Sequence, residues 1–266
     1  MKRLPVALFF CLAFALRAGA QPASDRAAEG LKGPVQAVRL ERVELAQDGQ
    51  TVKQSRYLRS LMRFDEQGYL LETTYYKLDG SVAERRVYTR ADDGRQVARI
   101  YDGAGQMTGK TVTTFDAAGR SVSTSAYNLA GALTYKSVDI YDERGRLVGE
   151  LGYRADGSPD TQMVVTYDAQ NNAESAYYDA RGLLSFRSAL TEQRGYTTTY
   201  NDDGTVLLEE TRGATRREFD AHGNWIKQTY PRSVKQAGKT EDTIEVRYRG
   251  ITYYERPASK QGGNKD

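Results

Sequence analysis

From residue 64 to residue 225 the chain repeats one phrase of apolar and polar positions. It runs aromatic, Asp or Asn, two variable residues, Gly, one variable residue, apolar. Phe64-Asp65-Glu66-Gln67-Gly68-Tyr69-Leu70 is one copy, and Tyr141-Asp142-Glu143-Arg144-Gly145-Arg146-Leu147 is the cleanest. Others open at Tyr101, Phe115, Tyr127, Tyr167, Tyr178, Tyr200 and Phe219, with weaker copies at Tyr76 and Tyr153 that lack the Asp. The turn glycines at 68, 80, 94, 105, 119, 131, 145 and 157, continued by Asn171 and Gly182, stand 11 to 14 residues apart. Short and long gaps alternate, so the true period is a pair of segments, 25 or 26 residues.

The phrase has the chemistry of a hairpin. Asp suits the first position of a type I turn because its side chain accepts a bond from the backbone two residues on. Gly then takes the left-handed conformation, which other residues adopt at a steric cost, Asn least. With Glu143, Arg144 and Gly145 as the loop, Asp142 faces Arg146 and Tyr141 faces Leu147. The same register sets Phe64 opposite Leu70, Tyr101 opposite Met107, Tyr127 opposite Leu133, Tyr178 opposite Leu184, Tyr200 opposite Val206 and Phe219 opposite Trp225. Eight to ten residues remain between loops, one strand each. The strands alternate only loosely (Ser121-Val122-Ser123-Thr124-Ser125-Ala126-Tyr127), and such strands cannot dry two faces. The pattern predicts an all-β fold: an antiparallel meander of hairpin repeats forming a single curved, twisted sheet, an open partial shell.

At the ends, residues 35–45 and 51–64 read as the first two strands. Residues 232–242 read as a polar loop, 243–254 as the last strand and 255–266 as a disordered tail. One β domain thus spans 31–254, after a polar leader at 21–30. Ahead of it, Met1-Lys2-Arg3, an apolar run over residues 4–16 and Ala18-Gly19-Ala20 have the form of a Sec-type signal peptide over 1–20. It directs a secreted or periplasmic location. The apolar run is shorter than a spanning helix needs, so the mature chain is expected to hold no membrane span.

Loss of that segment changes the charge and redox picture. The sole cysteine, Cys11, leaves with it, so no disulfide supports the fold. The full chain holds 38 basic and 35 acidic residues; Lys2, Arg3 and Arg17 depart with the signal peptide and the two signs balance. A neutral chain offers no footprint for nucleic acid.

Candidate chemistry is thin. One histidine nearly eliminates zinc centres and His-dependent triads. Asp92-Asp93-Gly94 and Asp202-Asp203-Gly204 lack the ligand spacing of a calcium loop. Phosphate loops, nucleophile elbows and HExxH are missing from the sequence. No catalytic, cofactor-binding or metal residue is therefore assigned, and the chain is expected to be non-enzymatic and to take no cofactor. His222 reads as a variable turn position, and Trp225 as the cross-strand partner of Phe219. Tyr75-Tyr76 and Tyr177-Tyr178 put one ring on each sheet face; with Trp225 they are the candidate contacts for an envelope protein or glycan. Long edge strands at both ends offer a route to a homodimer.

The repeated phrase, from Phe64 to Trp225, resembles the YD repeat of RHS proteins. Leu31-Lys32-Gly33-Pro34-Val35 resembles the opening of small secreted bacterial YD-repeat-like proteins, and Phe219-Asp220-Ala221-His222-Gly223-Asn224-Trp225 their closing unit. In large RHS proteins the repeats spiral into a hollow β shell around a toxic cargo. This chain has too few repeats for such a shell, and no cargo follows them, so the resemblance implies only the β-repeat fold. The expected function is a non-enzymatic binding or structural module of the cell envelope. The alternatives are an envelope polysaccharide hydrolase or lyase using Asp, Glu and Tyr, and a chaperone-like or immunity partner of an RHS-type toxin.

Overall fold

The structure, a computed structural model, describes residues 24–191 and 193–255. The expected signal peptide and almost all of the expected tail lie outside the described residues. One helical turn, α1 (Asp25–Ala28), precedes seventeen strands. They are β1 (Val35–Ala46), β2 (Val52–Phe64), β3 (Leu70–Tyr76), β4 (Val82–Arg90), β5 (Gln96–Asp102) and β6 (Met107–Phe115). Then come β7 (Ser121–Asn128), β8 (Leu133–Tyr141), β9 (Leu147–Arg154), β10 (Pro159–Tyr167), β11 (Ala173–Asp179) and β12 (Leu184–Leu190). The last five are β13 (Gly195–Tyr200), β14 (Val206–Arg212), β15 (Arg216–Phe219), β16 (Trp225–Gln236) and β17 (Lys239–Tyr253).

The hairpin register is as expected. Tyr141 pairs with Leu147, and the six other expected aromatic pairs occur. In the Tyr141 turn the Asp142 N–H donates to the Arg146 carbonyl at 2.9 Å and the Gly145 N–H to the Asp142 carbonyl at 2.9 Å. Asp142 Oδ1 accepts from the N–H groups of Arg144 and Arg146 at 3.0 and 2.8 Å. Gly145 has φ 76° and Asn171, its substitute one repeat on, φ 64°. The outgoing strand then carries an extra residue, since Ile140 pairs with Gly149 rather than with the next residue in step. Such bulges increase twist, and they recur at most of these turns.

The expected open shell is corrected: the sheet closes. β1 pairs with β2 on one side and with β17 on the other, from Val35–Tyr253 to Ala46–Thr243. The strands run in chain order around a sixteen-strand antiparallel barrel, in which β14 and β15 share one place beside β16. Pro231 sits at their junction. It has no N–H to give, and the Gly213 N–H donates to its carbonyl at 3.0 Å. Closure also needs residues 232–242 to be strand and turn, not the expected loop, because β16 and β17 form one long hairpin through Ala237 and Gly238. The edge-paired homodimer is corrected with it, since both end strands are paired on both sides. The expected lack of a membrane span is corrected too. It rested on helices: no described helix is long and apolar enough to cross a membrane, which says nothing of a closed barrel, whose strands satisfy their backbone groups among themselves.

Residues 24–32, of which 24–30 belong to the expected polar leader, fix which face is inside. The Asp25 carboxylate accepts from Leu70 N (2.8 Å), Arg90 Nη2 (3.1 Å) and Gln96 Nε2 (3.3 Å) on β3, β4 and β5. The Lys32 N–H donates to Asn224 Oδ1 at 2.7 Å, between β15 and β16. Those contacts cover seven adjacent places in the ring, about 29 Å of arc at roughly 4.8 Å per strand. From Asp25 to Lys32 the backbone extends no more than about 18 Å. The segment therefore cuts a chord across one mouth, and the face it meets is the lumen.

The main apolar cluster lies there. Leu31, Val35, Val38 and Phe64 are buried, with Met62, Leu70, Ile251 and Tyr253 against them. Asn224 clasps the segment, accepting from Lys32 N and donating Nδ2 to Lys32 O at 2.8 Å. Tyr253 donates to Asp220, and His222, an exposed turn residue as expected, stacks on its ring at 4.0 Å. Asn224→Ala leaves both Lys32 backbone groups unpaired beside a residue that is 2 % exposed, at a cost of about 2 kcal/mol. The expected outcome is a lower midpoint in urea and earlier proteolytic cutting between residues 24 and 34.

Candidate functional site in the barrel lumen

Strand alternation carries the inward and outward faces around the ring. Tyr75 and Tyr177 point inward; Tyr76 and Tyr178 point outward. Tyr75 is 38 % exposed, with the Arg86 guanidinium 5.7 Å from its ring centre. Tyr177 meets Phe186 edge to face at 5.4 Å. Yet β3 and β11 lie eight places apart in a ring of sixteen, on opposite walls. Trp225 pairs with Phe219 and lies under the Arg249 guanidinium at 3.9 Å. The structure thus places the five candidate rings without bringing them together.

It brings together two groups of charges instead. The first spans the closing strands. Glu245, 1 % exposed, receives Arg42 Nη2 at 2.8 Å, Arg247 Nε at 2.6 Å and the Tyr230 hydroxyl at 2.5 Å. Beside it Glu210 receives Arg212 Nε at 2.8 Å and Arg232 Nη2 at 2.9 Å, and Glu44 receives Arg42 at 3.1 Å. Burial pushes the Glu245 and Glu210 carboxyls up, but the guanidiniums outweigh it and hold both below the usual carboxylate range. Burial also raises the Tyr230 hydroxyl. Four guanidiniums thus pair with three carboxylates, and the cluster ties β14, β16, β17 and β1 together.

The second is a carboxyl pair on β8 and β9. Asp139 stands directly opposite Glu150, and the two side chains share a hydrogen bond. Ser121 Oγ donates to Asp139, and Ser137 bonds to Glu150. The Tyr141 hydroxyl, one turn away, donates to the Ser121 carbonyl at 2.8 Å and is pushed up to about 12, first by burial and then by Asp139. Burial, then the Asp139 carboxylate, push Glu150 up to about 7. The expected register alone would not have joined these acids; the extra residue after Leu147 moves Glu150 into place. Elsewhere the turn aspartates spend their oxygens on backbone N–H groups, as Asp116 and Asp168 do. Surface hollows lie at the rims: one of about 380 Å³ between Asp93, Arg95 and Phe115, and one of about 270 Å³ at Tyr200 and Asp202. Neither contains the carboxyl pair. Among the described residues no set of His, Cys, Asp and Glu has metal-holding geometry.

No family model matches the sequence, and no curated protein matches it. The fold is similar to the crystal structure of a porin-like protein from Bacteroides uniformis. The TM-score is 0.51 at 11 % identity, over 87 % of this chain and 100 % of that one. At that identity the likeness is one of fold. It agrees with the closed barrel.

The raised Glu150 has a signed consequence. Between pH 4.5 and about 7 the folded chain keeps a proton that the unfolded chain has lost. Stability therefore falls as pH rises through that window and levels above it. Urea midpoints at pH 5 and pH 8 should show this decline in the wild type and a smaller one in Glu150→Gln.

Proposed function

We propose that the chain is a non-enzymatic binding module of the cell envelope, delivered to the periplasm or beyond and built on YD-type repeats, with the barrel lumen receiving a glycan. The wide lumen of the closed barrel carries this reading. Sixteen strands enclose more space than their side chains fill, and among the described residues only ten apolar side chains are buried, four of them in the cluster at one mouth. From β6 to β13 the inward wall presents hydroxyls, among them Thr111, Thr113, Ser175 and Thr197, beside the Tyr177–Phe186 ring pair. Rings suit the C–H faces of a sugar and hydroxyls its polar edge.

Two other readings have specific support. Asp139 and Glu150 are paired carboxyls, as a glycoside hydrolase requires. However, they share a hydrogen bond, whereas that chemistry needs carboxyl groups about 5–9.5 Å apart. The porin-like likeness favours a conduit. Calorimetric titration of the mature chain with solubilised envelope polysaccharides is expected to give saturable binding, weakened at least tenfold by Tyr177→Ala with Phe186→Ala. No binding, together with conductance steps in a planar bilayer, would favour the conduit.

A further inference from the structure

The first-slot rings do not all face the same way. At the mouth crossed by residues 24–32, Phe115, Tyr141 and Tyr167 point inward, where Arg90, Arg120 and Arg146 lie over them at 5.3, 4.7 and 4.2 Å. At the opposite mouth Tyr76, Tyr101, Tyr127, Tyr153, Tyr178 and Tyr200 all point outward, on β3, β5, β7, β9, β11 and β13. They form a girdle of half-buried rings at one height, around eleven of sixteen places.

Two further features share that height. Among the described residues, six of the eleven exposed large apolar side chains lie at this mouth: Leu78 and Leu129 at loop tips, 63 and 67 % exposed, with Val52, Leu183, Val206 and Leu207; Leu71, Ile140, Leu190 and Phe219 lie at the other. On the other side of the girdle, toward the barrel's middle, lies a row of cations. Arg85 pairs across the sheet with Tyr101, Lys110 with Tyr127 and Lys136 with Tyr153, one cation per repeat, and Arg99 joins Lys110. Arg85 and Lys110 lie over their tyrosine rings at 5.3 and 5.4 Å. From β5 to β9 the outward strand positions between this row and the crossed mouth hold no carboxylate among the described residues; on β3, Glu72 meets Arg85 at 3.3 Å. Of the rim's own acids, Asp48, Asp79, Asp102, Asp156, Asp179 and Asp203 accept from their turn backbones, and Asp202 meets Arg181 at 3.3 Å.

From tip to middle the order is apolar, amphipathic ring, cation. A capping protein would touch the tips, but only a medium that surrounds the barrel end meets outward rings on six alternate strands together. We propose that this mouth docks on an anionic phospholipid membrane surface. The leucine tips enter the acyl boundary, the tyrosine girdle sits at the interface, and Arg85, Arg99, Lys110 and Lys136 meet lipid phosphates. Aromatic rings favour that boundary, long cations snorkel to it, and an insertion of roughly 5–10 Å is usual for interfacial elements. The proposal does not depend on what the lumen holds.

Vesicle flotation of the mature chain tests it, with neutral phosphatidylcholine and with the same lipid containing a third phosphatidylglycerol. The expected result is flotation with the anionic vesicles, reduced in high salt. Lys110→Glu with Lys136→Glu, and separately Leu78→Ser with Leu129→Ser, should each weaken binding at least fivefold. The second pair lies in exposed loop tips and leaves the sheet untouched, and circular dichroism checks the fold of both. No flotation with either vesicle at low salt would overturn the proposal. So would binding that neither folded variant pair changes.

Discussion

The pairing of β1 with β17 is the contact on which the rest depends. Each strand is polar on both faces, so there is little apolar burial to hold an open sheet in shape. Closing the ring converts two open rows of backbone donors and acceptors into paired ones. It also creates an inside, and without an inside neither the crossing segment nor the carboxyl pair has a defined environment. The seam is reinforced from within: the apolar cluster of Leu31, Val35, Val38 and Phe64 lies at one end. The Arg42–Glu245–Arg247 group lies farther along the same strands.

The doubled period has a structural meaning. One segment of each pair ends in a ring that points into the lumen, and the next ends in a ring that points out. Inward rings couple successive repeats: Tyr141 donates to the carbonyl of Ser121 and Tyr167 to that of Leu147, each twenty residues back. Outward rings are left for the surroundings. A single-segment repeat with equal gaps would not separate the two mouths in this way.

Much of this was legible in the residues. Hairpin positions, left-handed corners at Gly145 and Asn171, and all seven ring-to-aliphatic or ring-to-ring pairs follow from local turn chemistry. Closure was not legible, because it depends on the accumulated twist of many small bulges and on pairing between strands some two hundred residues apart. The Asp139–Glu150 pair was hidden for a related reason, since one extra residue after Leu147 sets it. His222 was read correctly as a turn residue, but its stacking was hidden because its partner, Tyr253, lies on the last strand. The five candidate rings were placed on the correct strands, but only a closed ring reveals that Tyr75 and Tyr177 stand on opposite walls.

The sequence holds a single cysteine, Cys11, whose replacement makes closure directly measurable. Val43 and Val246 stand opposite one another across the seam. A chain carrying Val43→Cys and Val246→Cys, oxidised while folded and dilute, should form an intramolecular disulfide, seen by mass and by altered mobility without reductant. Thiols that stay free, or that link only separate chains, would contradict a barrel closed by its first and last strands.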